Sequence, residues 1–252
     1  MKIADAAIIG GTGIGPRLML AGAVPVTIPT PFGALRAHLL PSEGPRTLVV
    51  QRHSAGHGTP PHGVNYRAIA DGLRRAGVRV VFSSAAVGSM RSEWSLGTFV
   101  VPHDVLDPSG RRLSLFDRGV VHTPFSHPFD PGARRALLSA AHEHHLHVAD
   151  RAVYVNSDGP RYESPAEIRM LRTVGGDLVG MTVGSEAILM AEAGVPYACL
   201  AVVTNLAAGM AEEINHGAVT DVMLARGGDA VAVLQSAVAT YLQNPVGVGD
   251  PA

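Results

Sequence analysis

The sequence predicts an α/β domain whose sheet is covered on both faces. Short apolar runs recur along the chain, and their hydrophobicity is continuous rather than alternating, as in strands with no solvent face. Capped helical stretches lie between them, the rhythm of a layered α/β fold. Several of the runs end in glycine-rich or basic turns, where open α/β sheets gather their ligands.

In chain order, strands are expected at 6–9, 47–51, 78–83, 98–101, 152–155 and 197–204. A helix over 65–76 ends at Gly77, a C-cap signal. A second starts with Asp130 as N-cap and Pro131 at the first helical position. In "SPAEIRML", Ser164 and Glu167 form a capping box around Pro165. Residues 218–242 read as one long helix, weakened at Gly227-Gly228. Segment 102–130 is long and irregular, and loops of that length inside a compact domain are often functional. No repeat or linker divides the chain, so one domain is expected over 1–243, with 244–252 as a flexible tail.

Composition narrows the function. The 252 residues are 46% hydrophobic and 16% charged, enough apolar material for a large core. A formal net charge of −1 provides no basic field for nucleic acid or anionic membrane. No run of about 20 apolar residues suggests a spanning helix, and the N-terminus lacks a signal-peptide pattern, so a cytoplasmic protein is expected. Cys199 is the sole cysteine and sits in an apolar run, which reads as a buried, inert thiol. Lys2 is the sole lysine, which excludes P-loop and Schiff-base chemistry in the body of the chain. "HEHHLH" at 142–147 fails the H-E-x-x-H zinc pattern because Leu146 stands where the second histidine belongs, so no metal is expected. There is no G-x-S-x-G nucleophile elbow.

The opening strand runs into Gly10-Gly11-Thr12-Gly13. A dinucleotide fingerprint needs a third glycine where Pro16 stands, and an acidic residue about 20 positions on, where prolines stand. The turn is thus either an anion nest, with Thr12 adding a hydroxyl, or a plain tight turn before a helix. Arg52 and His53 follow the 47–51 strand, where a guanidinium is either a bidentate phosphate clamp or a solvated surface group. "FSSAAVGSM" ends a third strand in small residues.

Taken together, "IIGGTGIG", "RHSAGHGTPPHGVNYRA", "AAVGSM", "DGPRYESPAEI", "VGMTVGSEAILMAEAGVPYACLAVVTN" and "INHGAV" resemble the trimeric purine nucleoside and methylthioadenosine phosphorylases. The pieces come in that family's order over most of residues 7–220. The resemblance implies a phosphorylase/hydrolase-like fold with a central mixed sheet, a homotrimer, and metal-free phosphorolysis in purine salvage. Inorganic phosphate is then a co-substrate and no cofactor is needed. Carried over, Thr12, Arg52, His53, Ala86 and Thr182 would bind phosphate. Met181 would lie under the ribose and Tyr162 beside the base, with Glu163 and Asn205 reading the purine. His122 would reach a neighbouring subunit's site, and His216 the 5′-hydroxyl. Ala85 departs from the pattern, since relatives often have Thr or Asn there.

These residue types suit the chemistry. Cleaving the glycosidic bond builds an oxocarbenium-like sugar, which a bound phosphate stabilises and then attacks at C1′. The leaving purine gathers negative charge at O6 and N7, where an Asn205 amide donor acts as an oxyanion hole does. A Glu163 carboxylate accepts from N1–H of a 6-oxopurine and repels the bare N1 of adenine. The expectation is cleavage of inosine and guanosine to free base and ribose 1-phosphate. Methylthioinosine or methylthioadenosine as substrate is the main alternative. Hydrolysis by water and a non-catalytic purine-binding module are disfavoured, because the phosphate residues are retained.

Overall fold

A computed structural model describes residues 2–19, 22–53, 58–211 and 216–243. The tail expected at 244–252 lies outside them. Among the described residues the strands form one eleven-stranded mixed sheet. Its first part reads β2 (Val24–Thr30), β3 (Gly33–Leu39), β4 (Thr47–Gln51), β1 (Ala6–Gly10) and β5 (Val81–Ser89) in spatial order. It continues through β10 (Leu178–Gly180), β9 (Val153–Asn156) and β7 (Asp104–Leu106). β11 (Tyr197–Leu206) pairs with β5 and β6 (Phe99–Val100), and β8 (Val148–Ala149) with β6.

β5 is the pivot. Its first residues pair in parallel with β1, from Ala7↔Val81 to Ile9↔Ser83. Its last pair antiparallel with β10, through Val179↔Gly88 and Leu178↔Ser89. β11 follows β5 in parallel throughout, with a register shift between Val203 and Asn205 that leaves Thr204 unpaired. One edge of β5 therefore changes neighbours partway along, and a crevice opens at such a change.

Helices cover both faces. α2 (Tyr66–Ala76) and α5 (Val183–Ala193) bury Leu73, Ala187 and Leu189 against one face. α1 (Gly15–Leu18), α3 (Pro131–Glu143) and α6 (His216–Gln243) bury Leu18, Leu137 and Leu234 against the other. α4 (Pro165–Thr173) caps a smaller cluster around Ile168 and Val155. The expected caps form. Asn65 and Asp130 accept from the amides of Ala68 and Ala133 at 3.0 and 2.7 Å. Gly77 closes α2 at φ 75°, and Ser164 and Glu167 make the capping box of α4.

Some expectations change. α6 runs unbroken through Gly227-Gly228. A Cβ on Gly227 would stand 2.7 Å from Arg17 Nε, so this glycine is a notch that admits Arg17, which donates to the Leu224 carbonyl at 2.8 Å. By length and mean hydropathy of 1.2, Gly217–Gln243 also meets the measure of a membrane-spanning helix, which the sequence reading did not anticipate. Here one face of it is buried against the sheet through Met223, Val233 and Leu234. The third strand begins later than expected and continues to Ser89, because the small residues of "SSAAVGS" are strand, not turn. Cys199 is fully buried, and burial pushes its thiol up to about 12, which keeps it inert.

Candidate active site

A cavity of about 490 Å3 opens where β5 exchanges β1 for β10, within the range of small-molecule sites. Thr12 enters from the end of β1, Arg52 and His53 from the end of β4, and Ala85–Gly88 from β5 itself. Val179–Thr182 come from β10 and the start of α5. Tyr162 and Glu163 come from the loop before α4, and Thr204 and Asn205 from β11. The fold thus brings Thr12, Arg52, His53, Ala86, Thr182, Tyr162, Glu163, Met181 and Asn205 to one wall system.

The glycine turn works differently from an open nest of amides. Gly11 donates its N–H to Ser84 Oγ at 3.0 Å. A Cβ on Gly11 would meet the Ser84 carbonyl at 2.6 Å and Arg52 Nη1 at 2.8 Å. The glycine lets the turn lie directly on the arginine, and Thr12 is the residue of Gly10–Gly13 that faces the cavity.

Arg52 is neither a solvated group nor a guanidinium free on all sides. It is 4% exposed. Its Nε and Nη2 donate to Glu186 Oε1 and Oε2 at 2.5 and 3.0 Å, and Nη1 to the Ser84 carbonyl at 3.1 Å. Burial alone would lower the guanidinium's pKa; attraction to and hydrogen bonding with Glu186 outweigh it and raise it. Glu186 Oε2 also accepts from Tyr197 Oη at 2.6 Å, and that oxygen lies 2.7 Å from Ser83 Oγ. A bidentate pair with every partner satisfied fixes the plane of the fork. His53 Nδ1 lies 3.0 Å from the Thr59 carbonyl; a carbonyl only accepts, so Nδ1 carries the proton.

The other polar groups come from the loop before α4 and from β11. Glu163 Oε1 accepts from Ser157 Oγ at 2.5 Å. Asn205 Nδ2 donates to the Leu206 carbonyl at 2.9 Å, and its Oδ1 accepts from Thr204 Oγ1 at 3.1 Å. That network assigns the amide, which has one further N–H to offer. A Cβ on Gly88 would lie 3.1 Å from Asn205 Nδ2. Arg52 touches Ser84 and Asn205 approaches Gly88, so the two lie roughly 13 Å apart along the strand.

Two residues that hold the site were not singled out in the sequence. Glu186 had a signal, a carboxylate in the first turn of the largely apolar α5, since a buried acid demands a buried base. Arg111, inside the long 102–130 segment, had none. It donates to the Met181 carbonyl at 2.8 Å, to Ser185 Oγ at 2.9 Å and to the Asp158 carbonyl at 2.5 Å. One of the described expected residues is not in the wall. His122 is exposed and stands outside the cavity of its own chain. His216 opens α6, but its side chain lies outside the described part of the structure. Among the described residues no cluster of potential ligands could hold a metal ion.

Known proteins are similar to this chain over most of its length. The chain is 36% identical over 242 residues to the 6-oxopurine nucleoside phosphorylase of Pyrococcus furiosus, covering 92% of this chain and 91% of that one. It is 41% identical over 208 residues to the probable S-methyl-5′-thioinosine phosphorylase of Methanopyrus kandleri, covering 82% and 80%. In structure it is similar to a methylthioadenosine phosphorylase from an Antarctic soil metagenomic library, with a TM-score of 0.88, 29% identity and coverage of 98% and 89%. The model of the Phosphorylase superfamily matches residues 6–239, and the chain belongs to that family.

Proposed function

We propose that this enzyme cleaves the glycosidic bond of 6-oxopurine nucleosides with phosphate, giving free base and ribose 1-phosphate. The observation that carries the reading is the polarity of the cavity along β5. A held guanidinium with Thr12, His53 and Thr182 marks the Ser84 end, and Asn205 the Gly88 end, with Glu163 in the same wall. Phosphate bound at the first end lies beneath the sugar, where its charge stabilises the oxocarbenium state before it attacks C1′. Asn205 donates to the purine as negative charge develops at N7 and O6, and Glu163 accepts from N1–H. Ala86 offers a backbone amide to phosphate, Met181 supports the ribose, and Tyr162 flanks the base. The test is base release from inosine, guanosine, adenosine, methylthioinosine and methylthioadenosine, each with and without phosphate. Phosphate-dependent release from inosine or guanosine is expected; release independent of phosphate, or from adenosine alone, overturns the reading.

A second reading, methylthioinosine as substrate, draws on Val219, Pro60 and Pro61, which line the cavity. Val219 lies in the first turn of α6. Cleavage confined to methylthioinosine in that assay selects this reading. We also infer a homotrimer in which His122 completes a neighbour's site. Its exposure beside the exposed Val120 and Val121 supports this, and sedimentation of a monomer would reject it.

Arg52→Ala is expected to raise KM for phosphate by about tenfold or more, the effect of losing a charge-assisted contact. Because it also leaves Glu186 buried without its partner, Arg52→Lys is measured beside it; the lysine keeps the charge but loses the fork. A change confined to nucleoside KM would show the clamp is misplaced.

A further inference from the structure

The loop carrying Glu163 is anchored at a residue with no assigned role. Ser157 directly follows β9. Its N–H donates to the Gly180 carbonyl at 2.8 Å, and its own carbonyl lies 3.4 Å from Arg111 Nη2. The next carbonyl, Asp158, accepts from the same Arg111 nitrogen at 2.5 Å, and Asp158 Oδ2 accepts from the Gly110 amide at 3.1 Å. Ser157 thus starts from a fixed backbone, and its hydroxyl spans back to Glu163 Oε1 at 2.5 Å, the short distance of a bond to a charged acceptor.

The carboxylate torsion of a glutamate is broad and gives no fixed direction by itself. An unheld Glu163 could turn to accept from the 6-amino group of adenine as readily as from N1–H of a 6-oxopurine. Both are N–H donors on neighbouring atoms of one ring edge, so selection between them depends on where the oxygens point. The hydroxyl holds Oε1 and restricts that torsion, which leaves Oε2 as the oxygen available to a ligand.

We propose that Ser157 is a specificity-determining positioning residue: its hydroxyl fixes the Glu163 carboxylate in the orientation that accepts N1–H and denies it to the 6-amino group. The inference rests on the 6-oxopurine reading of the same site. It assigns Ser157 no contact with the reacting atoms.

The test is the ratio of hypoxanthine to adenine affinity, measured by calorimetry with phosphate present, for the wild type, Ser157→Ala, Ser157→Thr and Glu163→Gln. The ratio of kcat/KM for inosine over adenosine is measured in parallel. Ser157→Ala is expected to lower both ratios about tenfold, the order of one hydrogen bond to a charged group. KM for phosphate and Tm are expected to stay unchanged, and Ser157→Thr, which keeps the hydroxyl, to restore most of the ratio. In the Glu163→Gln background, Ser157→Ala should change the ratio much less, since the group it orients is no longer a carboxylate. An unchanged ratio in Ser157→Ala, or a threonine variant as impaired as the alanine one, overturns the proposal for Ser157 alone. A wild type with no preference for hypoxanthine overturns the base-site reading itself, and this inference with it.

Discussion

Glu186→Gln is expected to destabilise the fold by about 3–5 kcal/mol, the cost of breaking a buried ion pair from one side. Both side chains of the Arg52–Glu186 pair are 1% exposed, so no water can replace the lost charge. The amide of glutamine would also turn N–H donors toward a guanidinium that has only donors to give. One further bond loses its charged acceptor, because Tyr197 Oη, itself 2.7 Å from Ser83 Oγ, donates to the same carboxylate. Chemical denaturation of the variant beside the wild type measures the effect. A loss below about 1 kcal/mol, the range of exposed pairs, would mean that the pair does not hold the crossing of β4, β5 and α5 together.

Asn205→Asp is expected to lower kcat/KM for inosine about 100-fold and to relax discrimination against adenosine. The magnitude is that of removing one oxyanion-stabilising donor. The direction follows from the hydrogen bonds. The present amide gives one N–H to the Leu206 carbonyl and keeps the other for the ligand. A carboxylate there gives none. It would face the Leu206 carbonyl and repel the O6 and N7 charge of a departing 6-oxopurine, while it could accept from a 6-amino group. Steady-state rates on inosine and adenosine check this; unchanged selectivity would remove Asn205 from base recognition.

How far these residues could be read from sequence depended on what each strand does. β1, β4 and β11 announced themselves as continuous apolar runs because they are covered on both faces. The β2–β3 hairpin did not. It is half exposed at the sheet edge, and Pro25 and Pro29 in β2 argue against a strand by the usual rule, which edge positions escape. β7 and β10 are three residues long, too short for any period to show. Most cavity residues lay in motifs that could be quoted. Arg111 could not be found, because a single arginine in an irregular loop carries no sign of the carbonyls it will meet. The neutralising partner of Arg52 was also missed, since Glu186 lies 134 residues away and only the sheet brings them together.

The register shift in β11 has a consequence for how the base end of the site is specified. In a regular strand, neighbouring side chains point to opposite sides, so only one of Thr204 and Asn205 could face the cavity. Both do, because the extra residue lets β11 resume its pairing with β5 at Gly88 one step late. Part of the recognition of the purine is therefore written in the number of residues, not their kinds. Removing Thr204 from the chain would leave every base-reading side chain named above intact, yet would bring Asn205 into the place of the residue before it. The strand could pair more smoothly with its neighbour while the cavity lost the amide's orienting hydroxyl. A length change of one residue would act there as a change of substrate preference.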